Sequence, residues 1–257
     1  IGLVLLFLMG IGPLLSWNYT SQSVLLNRFK LPLSISFLSG IGYMIFSSSF
    51  QIYVFVAIMG VSFTLSSILG EFYKSYKKQK KASNFLHSIG KMFLSNRHKN
   101  GGYIVHIGIV LIFIGFIGRA FEVEKEFSLS PGEQIYFSNY VFKLNSIKSE
   151  ARDNHYAFLS EIDVVDSSTN QLLVNLKPEK RIYFYWNSDP EKRQPHSELD
   201  IYSTIQKDIY SIFSGYDAQK NIGYFKIMIN PLVNWVWIGG VLMAVSYTHL
   251  TLPTSHC

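Results

Sequence analysis

Tyr103-Ile104-Val105-His106-Ile107-Gly108-Ile109-Val110-Leu111-Ile112-Phe113-Ile114-Gly115-Phe116-Ile117-Gly118-Arg119-Ala120 is an unbroken apolar run with one histidine inside it. As a helix it would rise about 27 Å, close to the hydrocarbon thickness of a bilayer. An ionisable ring within such a span costs about 2–3 kcal/mol on insertion scales, so a chain seldom keeps one without a use for it. Imidazole is the commonest metal-binding side chain, which makes His106 the residue to explain.

Outward from this run, four more stretches are apolar: about Gly2–Ser16, Leu33–Phe46, Ile52–Leu69 and Pro231–Val245. The expected fold is therefore a membrane α-helical bundle with about five transmembrane helices. Composition agrees. Hydrophobic residues make up 48% and charged residues only 16% of the 257, and mean hydropathy is +0.18. Aromatics reach 16%, and Tyr and Trp favour the headgroup level. The first span opens with neither a Met nor a basic n-region, unlike a signal peptide; the chain reads as starting within a longer protein.

Orientation follows from the basic residues. Lys74, Lys77, Lys78, Lys80, Lys81, Lys91, Arg97 and Lys99 crowd the loop at 72–100, and Arg28 and Lys30 are expected in the loop after the first span. Both loops read as cytoplasmic. Residues 122–230 then fall on the opposite face, and they hold every acidic residue except Glu71. The net charge of +6 comes from the topogenic loop and suits a membrane surface. Without aromatic interleaving or a known fold signature it gives no nucleic-acid reading.

The inserted segment reads as β-rich, a barrel or a sandwich. Glu122–Leu129 alternates, Ser130-Pro131-Gly132 makes a turn, and Gln134–Ile147 is rich in Tyr, Phe and Val. His155–Val165, Leu172–Leu176, Arg181–Trp186 and Gly223–Ile229 are further expected strands. Ile205, Ile209, Ile212 and Phe213 recur at helical spacing, so Ile201–Ser214 is expected as a short helix or edge element. The only cysteine is Cys257, which excludes an internal disulfide, a CxxC motif and a zinc signature. No nucleophile–base pair with hydrolase spacing and no Gly-rich phosphate loop is present.

Gly102 lies one helical turn before His106 on the same face, where the missing Cβ leaves room for a flat macrocycle. Tyr103, at i−3, could stack or hydrogen-bond. The competing reading is a neutral histidine bonded to another helix, with Gly102 serving close helix packing. His87 and His98 read as solvated, and His155 and His196 as structural or surface residues. Arg119 ends the span at the outer interface, by snorkelling or by contact with a propionate. Trp235 and Trp237 open the last span as interface anchors.

Several strings carry a family resemblance: Gly101-Gly102-Tyr103-Ile104-Val105-His106-Ile107-Gly108, Leu8-Met9-Gly10-Ile11-Gly12-Pro13-Leu14-Leu15, Lys177-Pro178-Glu179-Lys180-Arg181-Ile182-Tyr183, and Asn230-Pro231-Leu232-Val233 leading into Trp235, Trp237, Gly239, Gly240 and Met243. In order and spacing the chain resembles the C-terminal part of the CcmF family, the haem lyase membrane subunit of cytochrome c-type biogenesis. The nitrite-reductase-associated paralogue would look much the same.

The resemblance implies a bacterial inner-membrane protein with a periplasmic domain at 122–230. It also implies a haem lyase that takes haem from the chaperone CcmE, joins it to apocytochrome c thiols, and works with CcmH/CcmI-type subunits. It implies a haem b held between two membrane histidines, with His106 matching the second. Gly102, Tyr103 and Arg119 are the other candidate cofactor-binding residues.

The family's Trp-rich signature and its flanking periplasmic histidines are not in this sequence. They would precede Ile1, so the chain alone is expected to be inactive as a lyase. Residues 246–257 depart from the family pattern and read as a non-native tail, which removes His249, His256 and Cys257 from the site. Two other function classes compete: a transporter or channel fragment with His106 as proton relay, and a non-catalytic assembly subunit. A lone ionisable residue without a pair of broken helices argues against transport.

Overall fold

In lipid, each backbone N–H and C=O must find its partner within the protein, so apolar runs fold as helices. The computed structural model of the chain describes residues 1–15, 22–47, 49–79, 97–184, 195–246 and 248. Its helices are α1 (Gly2–Ile11), extended by a 3-10 turn at Gly12–Leu14; α2 (Gln22–Phe46); α3 (Ile52–Gln79); α4 (Arg97–Gly118), extended by a 3-10 turn at Arg119–Phe121; and α5 (Asn234–Ser246).

Three of these are long and apolar enough to cross a membrane, at Gln22–Phe46, Ile52–Lys77 and Asn100–Phe121. Gly2–Leu14 and Asn234–Ser246 are apolar but shorter, about 20 Å each against a hydrocarbon layer of about 30 Å. Length alone thus bears out three of the five expected crossings.

Several boundaries move. α2 starts at Gln22 rather than near Leu33, so Arg28 and Lys30 lie on a helix and not in a loop. Pro32 hides this in the sequence, because it removes one ladder bond; the helix nevertheless runs through it. Long basic side chains near a helix end reach the interface without leaving the helix. α3 likewise carries Lys74 and Lys77 as helical residues. Lys80, Lys81, Lys91 and His87 lie outside the described residues, as do Ser16, Trp186, His249, His256 and Cys257.

Small residues let the helices approach. The Ser36 hydroxyl donates to the Met59 carbonyl at 2.9 Å, and a Cβ on Gly40 would lie 2.9 Å from the Phe55 ring. The Thr64 hydroxyl donates to the Leu6 carbonyl at 2.7 Å, fixing α1 against α3. Leu6, Val61 and Val110 are buried where α1, α3 and α4 meet, with Leu65, Phe113, Ile114 and Ile117 packed around them.

Phe121–Pro231 is a separate compact unit. Its strands are β1 (Val123–Leu129), β2 (Gln134–Phe137), β3 (Tyr140–Ala151), β4 (His155–Asp166), β5 (Leu172–Leu176), β6 (Glu179–Tyr183), β7 (Pro195–Glu198), β8 (Asp200–Ser203), β9 (Lys207–Asp217) and β10 (Ile222–Pro231). One sheet has the order β1-β10-β9-β8; the other has β2-β3-β4-β6-β7, with β5 pairing β4. All printed pairings are antiparallel. Phe142, Leu144, Ile162, Val164 and Leu176 from the larger sheet form one buried core with Leu129, Ile209, Phe213, Phe225, Ile227 and Ile229 from the smaller. Two sheets sharing one core make a sandwich, which decides between the two architectures expected.

Of the short helix or edge element expected at Ile201–Ser214, the edge element forms: the segment is β8, the outer strand of its sheet, and most of β9, with no helix. On β9 the buried positions Ile209, Ser211 and Phe213 alternate. A serine at one inward position broke the apolar alternation and left a helical spacing. The single strand expected at Gln134–Ile147 is two, because Ser138 turns the chain with φ of 55°. β7 lacked an apolar pattern altogether, and its four residues are all exposed. Pro231 closes β10 rather than opening the last helix, and Leu232 turns the chain at φ 63°.

Candidate functional site

The side chains of α4 divide among its neighbours. Gly108 and Gly115 face α5: a Cβ on Gly108 would come within 2.7 Å of the Gly239 carbonyl, and one on Gly115 would collide with Val236. Val110, Ile114 and Ile117 face α1 and α3. At about 100° per residue, His106 falls on the same stripe as Val110 and Ile117, with Gly102 at its edge.

A Cβ on Gly102 would meet nothing within 4 Å among the described residues. His106 is half-buried, and among the described residues its Nδ1 is buried without a hydrogen-bond partner. Tyr103 is buried at 7% exposure, with its ring edge-to-face on Phe72 of α3 at 5.5 Å between centroids. The other end of the ring carries its hydroxyl into electrostatic reach of Glu71, itself bonded to Lys74 at 2.8 Å.

Arg119 is not part of this group. It is exposed in the turn that follows α4, thirteen positions after His106 and hence about 20 Å along the axis. The structure brings together Gly102, Tyr103 and His106 and leaves Arg119 at the far end of the same helix. Trp235 and Trp237 also part: Trp237 is 70% exposed, whereas Trp235 is half-buried with its Nε1 unpartnered among the described residues.

The sequence reading missed what holds His106 in place. Phe72 orients Tyr103, and the buried Ser246 hydroxyl donates to the Gly101 carbonyl at 2.9 Å, fixing the end of α5 one turn from the site. That reading also missed Gly108, Gly115 and Gly239, whose missing Cβ atoms let α4 and α5 touch.

The string Lys177–Tyr183 has a structural explanation. The Pro178 carbonyl accepts the buried Ser160 hydroxyl at 2.8 Å, and Asp200 accepts the Lys177 N–H at 2.7 Å. Glu179 accepts Arg181 Nε at 2.8 Å and Arg152 at 3.4 Å, and Arg181 also reaches Glu198 at 3.3 Å. The Tyr183 hydroxyl, followed by Glu179, holds the Arg181 guanidinium above its usual range. His155 is buried against Tyr183, with 4.9 Å between ring centroids, and His196 is exposed on β7.

Residues 120–231 match the family model of the CcmF C-terminal beta-sandwich. Over this part the chain is similar to the CcmF family. Over 239 residues, 93% of its length, it is 25% identical to the cytochrome c-type biogenesis protein CcmF of Haemophilus influenzae and covers 35% of that protein. Over 146 residues, 56% of its length, it is 25% identical to CcmF of Pseudomonas aeruginosa and covers 21% of it. The probable cytochrome c-type biogenesis protein NrfE of Escherichia coli is 25% identical over 54% of this chain and is covered to 24%.

Among solved structures, the cytochrome c heme lyase CcmF shares the fold, with a TM-score of 0.73 at 18% identity, over 98% of this chain and 39% of that one. The chain thus spans about a third or less of the curated relatives it matches. Its spanning helices make it a multi-pass membrane protein.

Proposed function

We propose that the chain contributes one axial ligand, His106, to a haem b within the membrane part of a CcmF-type haem lyase. The observation that carries this is a half-buried imidazole in a spanning helix, beside open space at Gly102, with a buried Nδ1 that no described residue satisfies. When bound, haem iron supplies one-electron chemistry at a potential set by its ligands and surroundings.

His106 would lend a nitrogen lone pair, and Gly102 would let the macrocycle lie against the helix. Tyr103, held by Phe72, would fix the edge of the pocket. Arg119 belongs to the opposite interface, where its guanidinium suits headgroups or a propionate of the haem being transferred. On this reading all five helices cross the bacterial inner membrane, with α1 and α5 as short spans. α1, α3 and α5 run parallel, and α2 and α4 run opposite to them, so the basic residues of α2 and α3 share the cytoplasmic end. Both connections to Phe121–Pro231 leave from the other end, which makes the sandwich periplasmic, where apocytochrome c, the chaperone CcmE and CcmH/CcmI-type subunits would meet it.

In the full-length protein, His106→Ala should abolish the b-type absorption band while leaving the amount of membrane-inserted protein unchanged. A variant that keeps its haem content refutes the assignment.

A further inference from the structure

α2 and α3 do not stay in contact along their length. Near Ser36 and Gly40 they are too close for a methyl group. Three turns further along α3 towards the basic end they have parted, and a Cβ on Gly70 would meet nothing within 4 Å among the described residues. The opening is a cleft of about 420 Å³ between α2, α3 and the turn after α1. Leu14, Val24, Leu31 and Pro32 line it with hydrocarbon, and Arg28 and Lys74 bring positive charge to it.

The two cations differ. Lys74 already holds Glu71 at 2.8 Å. Arg28 donates one N–H to the Leu14 carbonyl at 3.2 Å and, among the described residues, pairs with no carboxylate. A guanidinium has five donors in a planar fork suited to phosphate. The apolar wall continues along the same face of α2 through Leu31, Ile35 and Leu38, 63%, 38% and 66% exposed, on a helix of spanning length.

We propose that this cleft is a binding site for an anionic phospholipid. The phosphate sits on Arg28 with Lys74 beside it, and an acyl chain follows Leu31 and Ile35 along α2. Charge complementarity and an apolar wall continuous with a spanning helix select a lipid over a soluble anion, which would leave that wall wet. The site is separate from His106 and does not depend on haem.

The test is native mass spectrometry of the full chain, delipidated in detergent, with added phosphatidylglycerol or phosphatidylcholine of identical acyl chains. Phosphatidylglycerol should be retained preferentially. Arg28→Gln should weaken its retention about fivefold, the effect of one charge near a lipid surface, without altering phosphatidylcholine adducts. Gly70→Leu, which fills the cleft and leaves the charge untouched, should also abolish the preference, with helix content by circular dichroism unchanged in both variants. Equal retention of the two lipids, or variants that behave as wild type, would overturn the proposal. So would competition by glycerol phosphate as strong as by the intact lipid, which would mark a soluble-anion site.

Discussion

At the scale of single residues, the molecule contrasts polar groups that are satisfied with a few that are not. Asp166 shows the first kind. Its carboxylate accepts the hydroxyl and backbone N–H of Ser168 and the N–H of Thr169, and these bonds hold its pKa below the usual carboxylate range. A depressed folded-state pKa contributes stability above the unfolded value of about 4 and loses it as pH falls through the lower folded value. Asp166→Ala should therefore lower the melting temperature of the sandwich at neutral pH, with the gap to wild type closing under strongly acid conditions. A gap independent of pH would assign the turn's stability to something other than this charge.

His106 shows the second kind, since its Nδ1 has no partner among the described residues. Gly102→Leu should fill the space beside it and reduce haem content of the full-length protein without reducing helix content; a variant that binds haem normally would place the cofactor on another face.

At the scale of elements, adjacent glycines on α5 make a controlled pair. A Cβ on Gly239 would collide with the Gly108 carbonyl, whereas one on Gly240 would meet nothing within 4 Å. Gly239→Ala should destabilise the α4–α5 pair by about 1–3 kcal/mol, the usual cost of overpacking, while Gly240→Ala should be neutral. Thermal aggregation in detergent reads both. In the sandwich, Phe213 and Phe225 stack at 4.9 Å and 14°, both essentially unexposed. Phe225→Ala should cost about 3–5 kcal/mol and lower the melting temperature accordingly.

These elements also explain what the sequence made legible. Long apolar runs announce helices, and Leu172–Leu176 announced β5 residue for residue, because burial wrote a clear pattern there. Inward-facing Ser211 erased the alternation of β9, and β7 is held by backbone pairing to β6 with all four side chains exposed. His106 and Gly102 were visible because lipid makes any ionisable residue conspicuous. Phe72 was not, since an apolar side chain on an apolar helix gives no sign of the neighbour it braces.

At the scale of the whole molecule, the proposed topology has its own test. A single cysteine introduced at Thr169, in a background with Cys257 replaced, should react with an impermeant maleimide added to the outside of spheroplasts. One introduced at Lys91 should react only after lysis. The reverse pattern would invert the protein and move the proposed lipid site to the other leaflet.

The bond from Ser246 to Gly101 joins residues 145 positions apart. A ribosome needs on the order of ten seconds to add that many residues. Throughout that interval α4 waits in the nascent chain without its partner, its glycine stripe open to whatever passes. Replacements on that stripe should therefore be felt first as quality-control degradation during synthesis, before any loss of chemistry could be measured.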